Sequence, residues 1–142
     1  MKTALHGAKL NAEGITHVVN VCGADVQVGM RASGYKGELL ILDIRDSEDF
    51  PIDTYFQEAF DFMRKPHEES VLFNRGQQVK ILVHCQLGIS RSPTVVIAYL
   101  MKFHKMNLWQ ATDKTAQGRG IIYPNEGFLE ALVNMAHEYN KL

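Results

Sequence analysis

The stretch Val83-His84-Cys85-Gln86-Leu87-Gly88-Ile89-Ser90-Arg91-Ser92-Pro93 constrains this chain more than any other. Residues 79–84 are short, rich in Val, Ile and Leu, and end at His84, which is the pattern of a buried strand. Pro93 suits the first turn of a helix, where its missing N–H costs nothing, and apolar residues continue to about Lys105. A strand, a glycine-bearing loop and a helix N-terminus in that order make backbone N–H groups converge on an anion. Gly88 permits a turn that bulkier residues resist. Cys85 stands at the base of this nest, where the same N–H groups stabilise a thiolate. Thiols so placed reach pKa values of about 3.5–7.5, against about 8.5 for a free cysteine. Arg91 supplies a planar fork that can hold two oxygens of one anion. Taken singly, Cys85 would be a buried cysteine and Arg91 a surface residue. The coincidence of strand, spacing, glycine, arginine and proline argues against that.

The remainder reads as an alternation of strands and helices. Residues 15–21 and 39–44 are further short apolar segments, the second nearly continuous, as in a strand covered on both faces. In residues 54–65, Phe56, Ala59, Phe60 and Met63 recur at helical steps, with Asp53 or Thr54 as the cap. Residues 108–117 predict a shorter helix ending before Gly118 and Gly120, and Asn125 predicts the cap of a last one. Residues 23–37, with four glycines, and residues 67–78, polar and charged, are predicted loops. The expectation is one α/β domain over residues 1–142, a mainly parallel central sheet flanked by helices. At 46% hydrophobic and 22% charged the composition is globular, and 15 basic against 16 acidic side chains give no field that calls for nucleic acid. The longest apolar run, residues 95–101, is too short to span a bilayer. Two cysteines make no disulfide framework, and the N-terminal residues hold no secretion signal, so a cytoplasmic (or nuclear) protein is expected.

His84-Cys85, five residues, then Arg91-Ser92 resembles the signature of the cysteine-dependent protein phosphatases. Gly88-Ile89-Ser90-Arg91-Ser92-Pro93-Thr94, followed by Ile97-Ala98-Tyr99-Leu100-Met101, resembles the dual-specificity branch, as an atypical, compact member. Gly14-Ile15-Thr16-His17-Val18-Val19-Asn20-Val21, Tyr55-Phe56-Gln57-Glu58-Ala59 and Pro124-Asn125-Glu126-Gly127-Phe128-Leu129 resemble it too. The resemblance implies hydrolysis of phosphotyrosine, and of phosphoserine or phosphothreonine, through a phosphocysteine on Cys85. It makes residues 86–91 (Gln86, Leu87, Gly88, Ile89, Ser90, Arg91) the phosphate-binding loop and Asp46 the leaving-group acid, with Asp43 and Asp49 as weaker candidates. It gives Ser92 the task of helping the sulfur leave. His84 and Asn125 then support the loop, and Cys22 is a redox partner able to form a reversible disulfide with Cys85.

Two departures from the family stand out. Only thirteen residues precede Gly14, so the usual N-terminal strand pair is expected to be missing. The catalytic strand would then keep an exposed edge, open to a second copy of the chain. The connection after Lys65 is also long, and is expected to be a mobile surface loop. No metal or cofactor is implied, and the expected partner is a phosphoprotein, with no nucleic acid and no membrane. The loop holds no lysine, which argues against a phosphoinositide substrate. A phosphopeptide-binding module without turnover is the alternative. Rhodanese-like sulfur transfer fits less well, because Ser92-Pro93 and Asp46 suit phosphatase chemistry better.

Overall fold

In the computed structural model, which describes residues 6–23, 34–73, 76 and 78–139, the three apolar segments pair in parallel. Strand β1 is His17–Asn20, β2 is Glu38–Ile41 and β3 is Ile81–His84, in the order β2-β1-β3. His17 lies opposite Glu38 and Ile81, and Asn20 opposite Ile41 and His84. Each strand is shorter than its apolar segment, although backbone bonds continue past the ends, from Val21 N–H to the His84 carbonyl and from Leu42 N–H to the Asn20 carbonyl. Side chains of successive strand residues point to opposite faces. Val18 accordingly packs with Leu10 and Tyr35, while Val19 and Val21 join the larger core on the other side. β1, flanked by both other strands, is the most deeply buried of the three, while β2 and β3 are partly exposed.

Helix α1 is Gly7–Ala12, α2 is Phe56–Leu72, α3 is Arg91–Phe103, α4 is Leu108–Arg119 and α5 is Glu126–Glu138. The larger core lies between the sheet and these last four helices. Phe60 on α2 and Phe128 on α5 are almost completely buried in it, and each contributes about 1.5–3 kcal/mol through its burial. Phe60, Tyr99 and Phe103 form an aromatic cluster joining α2 to α3, with ring centroids 5.0–6.0 Å apart.

Several boundaries differ from the sequence expectation. α2 does not stop at Lys65 but runs through Pro66 to Leu72, so residues 67–72, the first half of the predicted mobile loop, are helix. A proline inside a helix removes one ladder bond. Here ion pairs one turn apart, Arg64 with Glu68 and Lys65 with Glu69, span that point. Neither Asp53 nor Thr54 caps α2, because a 3-10 turn at Ile52–Tyr55 precedes it and Thr54 Oγ1 donates to the Pro51 carbonyl instead. α4 passes through Gly118 and ends where Gly120 turns to a φ of 91°. It starts with a capping box between Asn107 and Gln110. The glycine-rich segment predicted at residues 23–37 falls largely outside the described residues.

Among the described residues β3 stands at the edge of the sheet. The carbonyls of Lys80 and His84 face β1, so a parallel ladder turns those of Ile81 and Val83 outward. The expected open edge of the strand ending at His84 is therefore present among these residues.

Candidate active site

Residues 85–90 leave the C-terminal end of β3 and deliver the chain into α3 at Arg91. Gly88 makes the turn, with a φ of 71°, a conformation that a side chain strains. This folds the loop back over its own cysteine. The Gly88 N–H donates to Cys85 Sγ at 3.2 Å, and Ser92 Oγ lies 3.2 Å from the same sulfur. Cys85 is buried. Burial alone pushes its thiol up, but the Ser92 hydroxyl, the N–H groups of Ser92 and Gly88 and the Arg91 charge outweigh it, leaving the pKa below the ordinary thiol value. Ser92 is not the helix cap. That place belongs to Ser90, whose Oγ accepts from the Asn125 N–H at 3.0 Å.

Cys22 follows β1 and is half-buried. Its Sγ donates to Asn20 Oδ1 at 3.1 Å. Burial pushes this thiol up, Cys85 adds to the shift, and Arg91 opposes it. Both sulfurs are free thiols. Because only thiolates attack alkylating agents, iodoacetamide at pH 6 is expected to label Cys85 well ahead of Cys22. Peptide mass spectrometry reads the order, and equal rates would contradict this electrostatic contrast.

Arg91 reaches across to the segment after β2, where its Nη1 donates to the Ile44 carbonyl at 3.0 Å. Its Nε is buried without an acceptor among the described residues. An unmade bond of this kind costs about 1–3 kcal/mol, and an oxygen of a bound anion would supply the acceptor. Two residues beyond Ile44 comes Asp46, whose Oδ1 accepts from Asn125 Nδ2 at 2.9 Å. Asn125 is also the cap of α5, accepting from the Phe128 N–H at 2.9 Å. One residue thus ties together the loop bearing Asp46, the loop bearing Cys85 and the start of α5. Gly127 allows the close approach this requires, since a Cβ there would stand 1.8 Å from the Glu48 carbonyl oxygen.

Asp46, Glu48, Cys85, Arg91, Tyr123 and Asn125 line one cleft of about 510 Å³. Asp43 and Asp49 do not line it. Asp49 is held by the Ser47 hydroxyl in an exposed turn, which keeps its carboxyl below the usual range. Gln86 and Leu87 border this cleft and a second cavity of about 340 Å³ behind the loop, floored by Leu82, Val83 and Val96. Two contacts to the loop have no counterpart in the sequence reading. Arg119 Nη2 donates to the Leu87 carbonyl at 2.7 Å, and the Tyr123 N–H donates to the Ile89 carbonyl at 2.7 Å. Both bridge more than thirty positions, so no local pattern marks them. Among the described residues no cluster of His, Cys, Asp or Glu is arranged to hold a metal ion, and no helix is long and apolar enough to cross a membrane.

His84 is buried beside the second cavity, and neither ring nitrogen has a partner among the described residues. Burial lowers its pKa. An unfolded histidine titrates near 6.5, so below that value the unfolded chain takes up a proton that the folded chain refuses. Stability is therefore fully present above about pH 6.5 and lost as pH falls. His17, part-buried, shifts the same way for the same reason. Urea unfolding at pH 7.5 and 5.5 is expected to show a smaller loss for His84→Asn than for the unaltered chain. An identical loss would mean that His84 keeps its proton when folded.

The chain as a whole has counterparts among known proteins. The family "Dual specificity phosphatase, catalytic domain" matches residues 1–138. The chain is 40% identical over 128 residues to human dual specificity protein phosphatase 26, covering 88% of this chain and 56% of that protein. It is 39% identical over 124 residues to dual specificity protein phosphatase PHS1 of Arabidopsis thaliana, covering 86% of this chain and 12% of that one. The chain thus spans about half the length, or less, of these curated relatives. Among solved structures, human DUSP28 superposes with a TM-score of 0.79 at 25% identity, over 98% of this chain and 89% of that one. The human tyrosine phosphatase-like serine/threonine/tyrosine-interacting protein superposes at 0.69 with 28% identity, over 96% and 88%. With the loop geometry, the family match and the relatives in agreement, this chain belongs to the dual specificity phosphatase family.

Proposed function

We propose that the chain hydrolyses phosphotyrosine, and phosphoserine or phosphothreonine, in proteins through a phosphocysteine, residues 1–142 acting as one catalytic domain. The observation that carries this reading is the convergence on Cys85 Sγ of the Gly88 N–H and the Ser92 hydroxyl in a cleft shared with Arg91 and Asp46. In the first step Cys85 Sγ attacks phosphorus, the S–P bond forms and the P–O bond to the substrate breaks. Asp46 gives its proton to the departing oxygen. Arg91 and the loop N–H groups hold the charge on the transferring group. Water then attacks phosphorus, Asp46 takes up its proton, and the S–P bond breaks to release phosphate. Ser92 Oγ stabilises the leaving sulfur in this step. His84 and Asn125 hold the loop in shape, residues 86–91 bind the phosphoryl oxygens, and no metal is needed.

The same reading places the protein in the cytoplasm or nucleus, where thiols stay reduced. It leaves Cys22 a redox role, as the partner that closes a disulfide on oxidised Cys85. It also assigns the outer edge of β3 to a second copy of the chain. Sedimentation is expected to show a dimer, and a monomer at all concentrations would reject that pairing. A phosphopeptide-binding module is the second reading, supported by the likeness to the tyrosine phosphatase-like interacting protein.

Hydrolysis of a small aryl phosphate between pH 5 and 8 by the reduced chain tests the proposal. Activity lost on Cys85→Ser is the expected result. A folded, reduced chain that releases no phosphate but binds phosphopeptides would transfer the assignment to the binding module.

A further inference from the structure

The mouth of the cleft carries an unbalanced charge. Among the described residues, Asp46 and Glu48 on one loop and Glu126 in the first turn of α5 all line it, against the guanidinium of Arg91. They are gathered on one side by two contacts already described, the Asn125–Asp46 hydrogen bond and the backbone approach of Gly127 to Glu48. The nearest cation in sequence does not neutralise them. Arg45 lies over the Phe50 ring, 5.7 Å from its centroid, and its charge acts on Asp49. Arg119 is turned to the Leu87 carbonyl, beside the other cavity. Glu48 and Glu126 are exposed. Beside them, Tyr123 and Leu87 are 68% exposed, and Tyr123 is anchored to the phosphate loop through the Ile89 carbonyl. A peptide whose phosphoryl group reaches Arg91 must lay its neighbouring residues across this rim.

We infer that this rim selects phosphorylated segments with Lys or Arg beside the phosphorylated residue, and turns away acidic or doubly phosphorylated ones. The inference rests on the phosphatase reading of the cleft and adds the substrate class to it. The two residues on either side of the phosphorylated one extend about 7 Å, which brings a basic side chain within reach of Glu48 and Glu126. An acidic neighbour, or a second phosphate, meets like charge there. Exposed pairs of this kind are individually weak and act together, so the expected discrimination is about three- to tenfold at low salt. It shrinks as salt screens the rim.

The test compares two phosphotyrosine peptides with the same apolar neighbour, one flanked by a Lys pair and one by a Glu pair, with an aryl phosphate run alongside. The expected result is a higher kcat/KM for the Lys peptide in 50 mM salt, and a ratio that contracts in 0.5 M salt. The ratio should also contract in the double variant Glu48→Gln, Glu126→Gln. An aryl phosphate that is hydrolysed while both peptides are equal, or the Glu peptide is preferred, overturns the inference and leaves the phosphatase reading standing. If no phosphate is released from any substrate, the phosphatase reading fails. Fluorescence anisotropy of the two labelled peptides on the Cys85→Ser chain then decides the selection alone: tighter binding of the Lys peptide supports it, and equal or reversed affinity overturns it.

Discussion

Cys85→Ser is expected to abolish aryl phosphate hydrolysis, a loss on the order of 10⁴-fold or more, because the change removes the one atom that bonds to phosphorus. The loop around it holds a sulfur anion through the Gly88 N–H, the Ser92 hydroxyl and the Arg91 charge. A serine hydroxyl in the same place stays protonated at neutral pH, and among the described residues the Ser92 hydroxyl and the Gly88 N–H are in hydrogen-bond contact with that position. Since the thiolate is the reactive form, activity in the unaltered chain should fall as pH drops through the lowered thiol value. The variant keeps the loop donors and Arg91, and so should still bind phosphopeptides. Phosphate release at more than about a hundredth of the original rate would show that another group is the nucleophile. Ser92→Ala should leave the first step fast and slow the second, seen as a burst of released phenol followed by a slower steady rate.

Asp46→Asn should cost about 10²–10⁴-fold on substrates with poor leaving groups, the range for a positioned general acid. The loss should be much smaller with p-nitrophenyl phosphate, whose leaving oxygen barely needs the proton. Asn125→Ala tests the geometry in a different way. The Asn125 side chain both caps α5 and holds Asp46 Oδ1, so its removal should lower stability by about 0.5–2 kcal/mol. It should also reproduce part of the leaving-group dependence of Asp46→Asn. A merely structural Asn125 would lower stability and leave the ratio between good and poor leaving groups unchanged. In the double variant Asn125→Ala, Asp46→Asn the two kinetic losses should not add, because both act through one carboxyl.

The parts of this site that were legible beforehand are those set by neighbouring residues along the chain. Strand, glycine turn and helix start follow one another within residues 79–93, so the nest around Cys85 is a local consequence of backbone geometry. The three strands were legible for a related reason: each lies in a short segment rich in Val, Ile and Leu. The length of α2 was not legible. Pro66 and the charged residues after it look like a helix end in isolation, yet the helix continues to Leu72 with paired charges on its surface.

What the sequence alone determined is therefore the chemistry available: a thiol in an anion nest, an arginine fork seven positions from His84, and carboxylates upstream. Family resemblance singled out Asp46 among them, and the tertiary structure supplies the contacts that set it apart. Asp43, Asp46 and Asp49 lie within seven residues, but only Asp46 is met by Asn125, 79 positions away, and lines the cleft with Cys85. Arg91 is likewise aimed by the Ile44 carbonyl, 47 positions away, and the loop is held by Arg119, 32 positions from Leu87. Such contacts depend on how the sheet and helices stack. Periodicity and spacing record only what a residue's near neighbours do, and they carry no trace of which distant loop the packing will press against it.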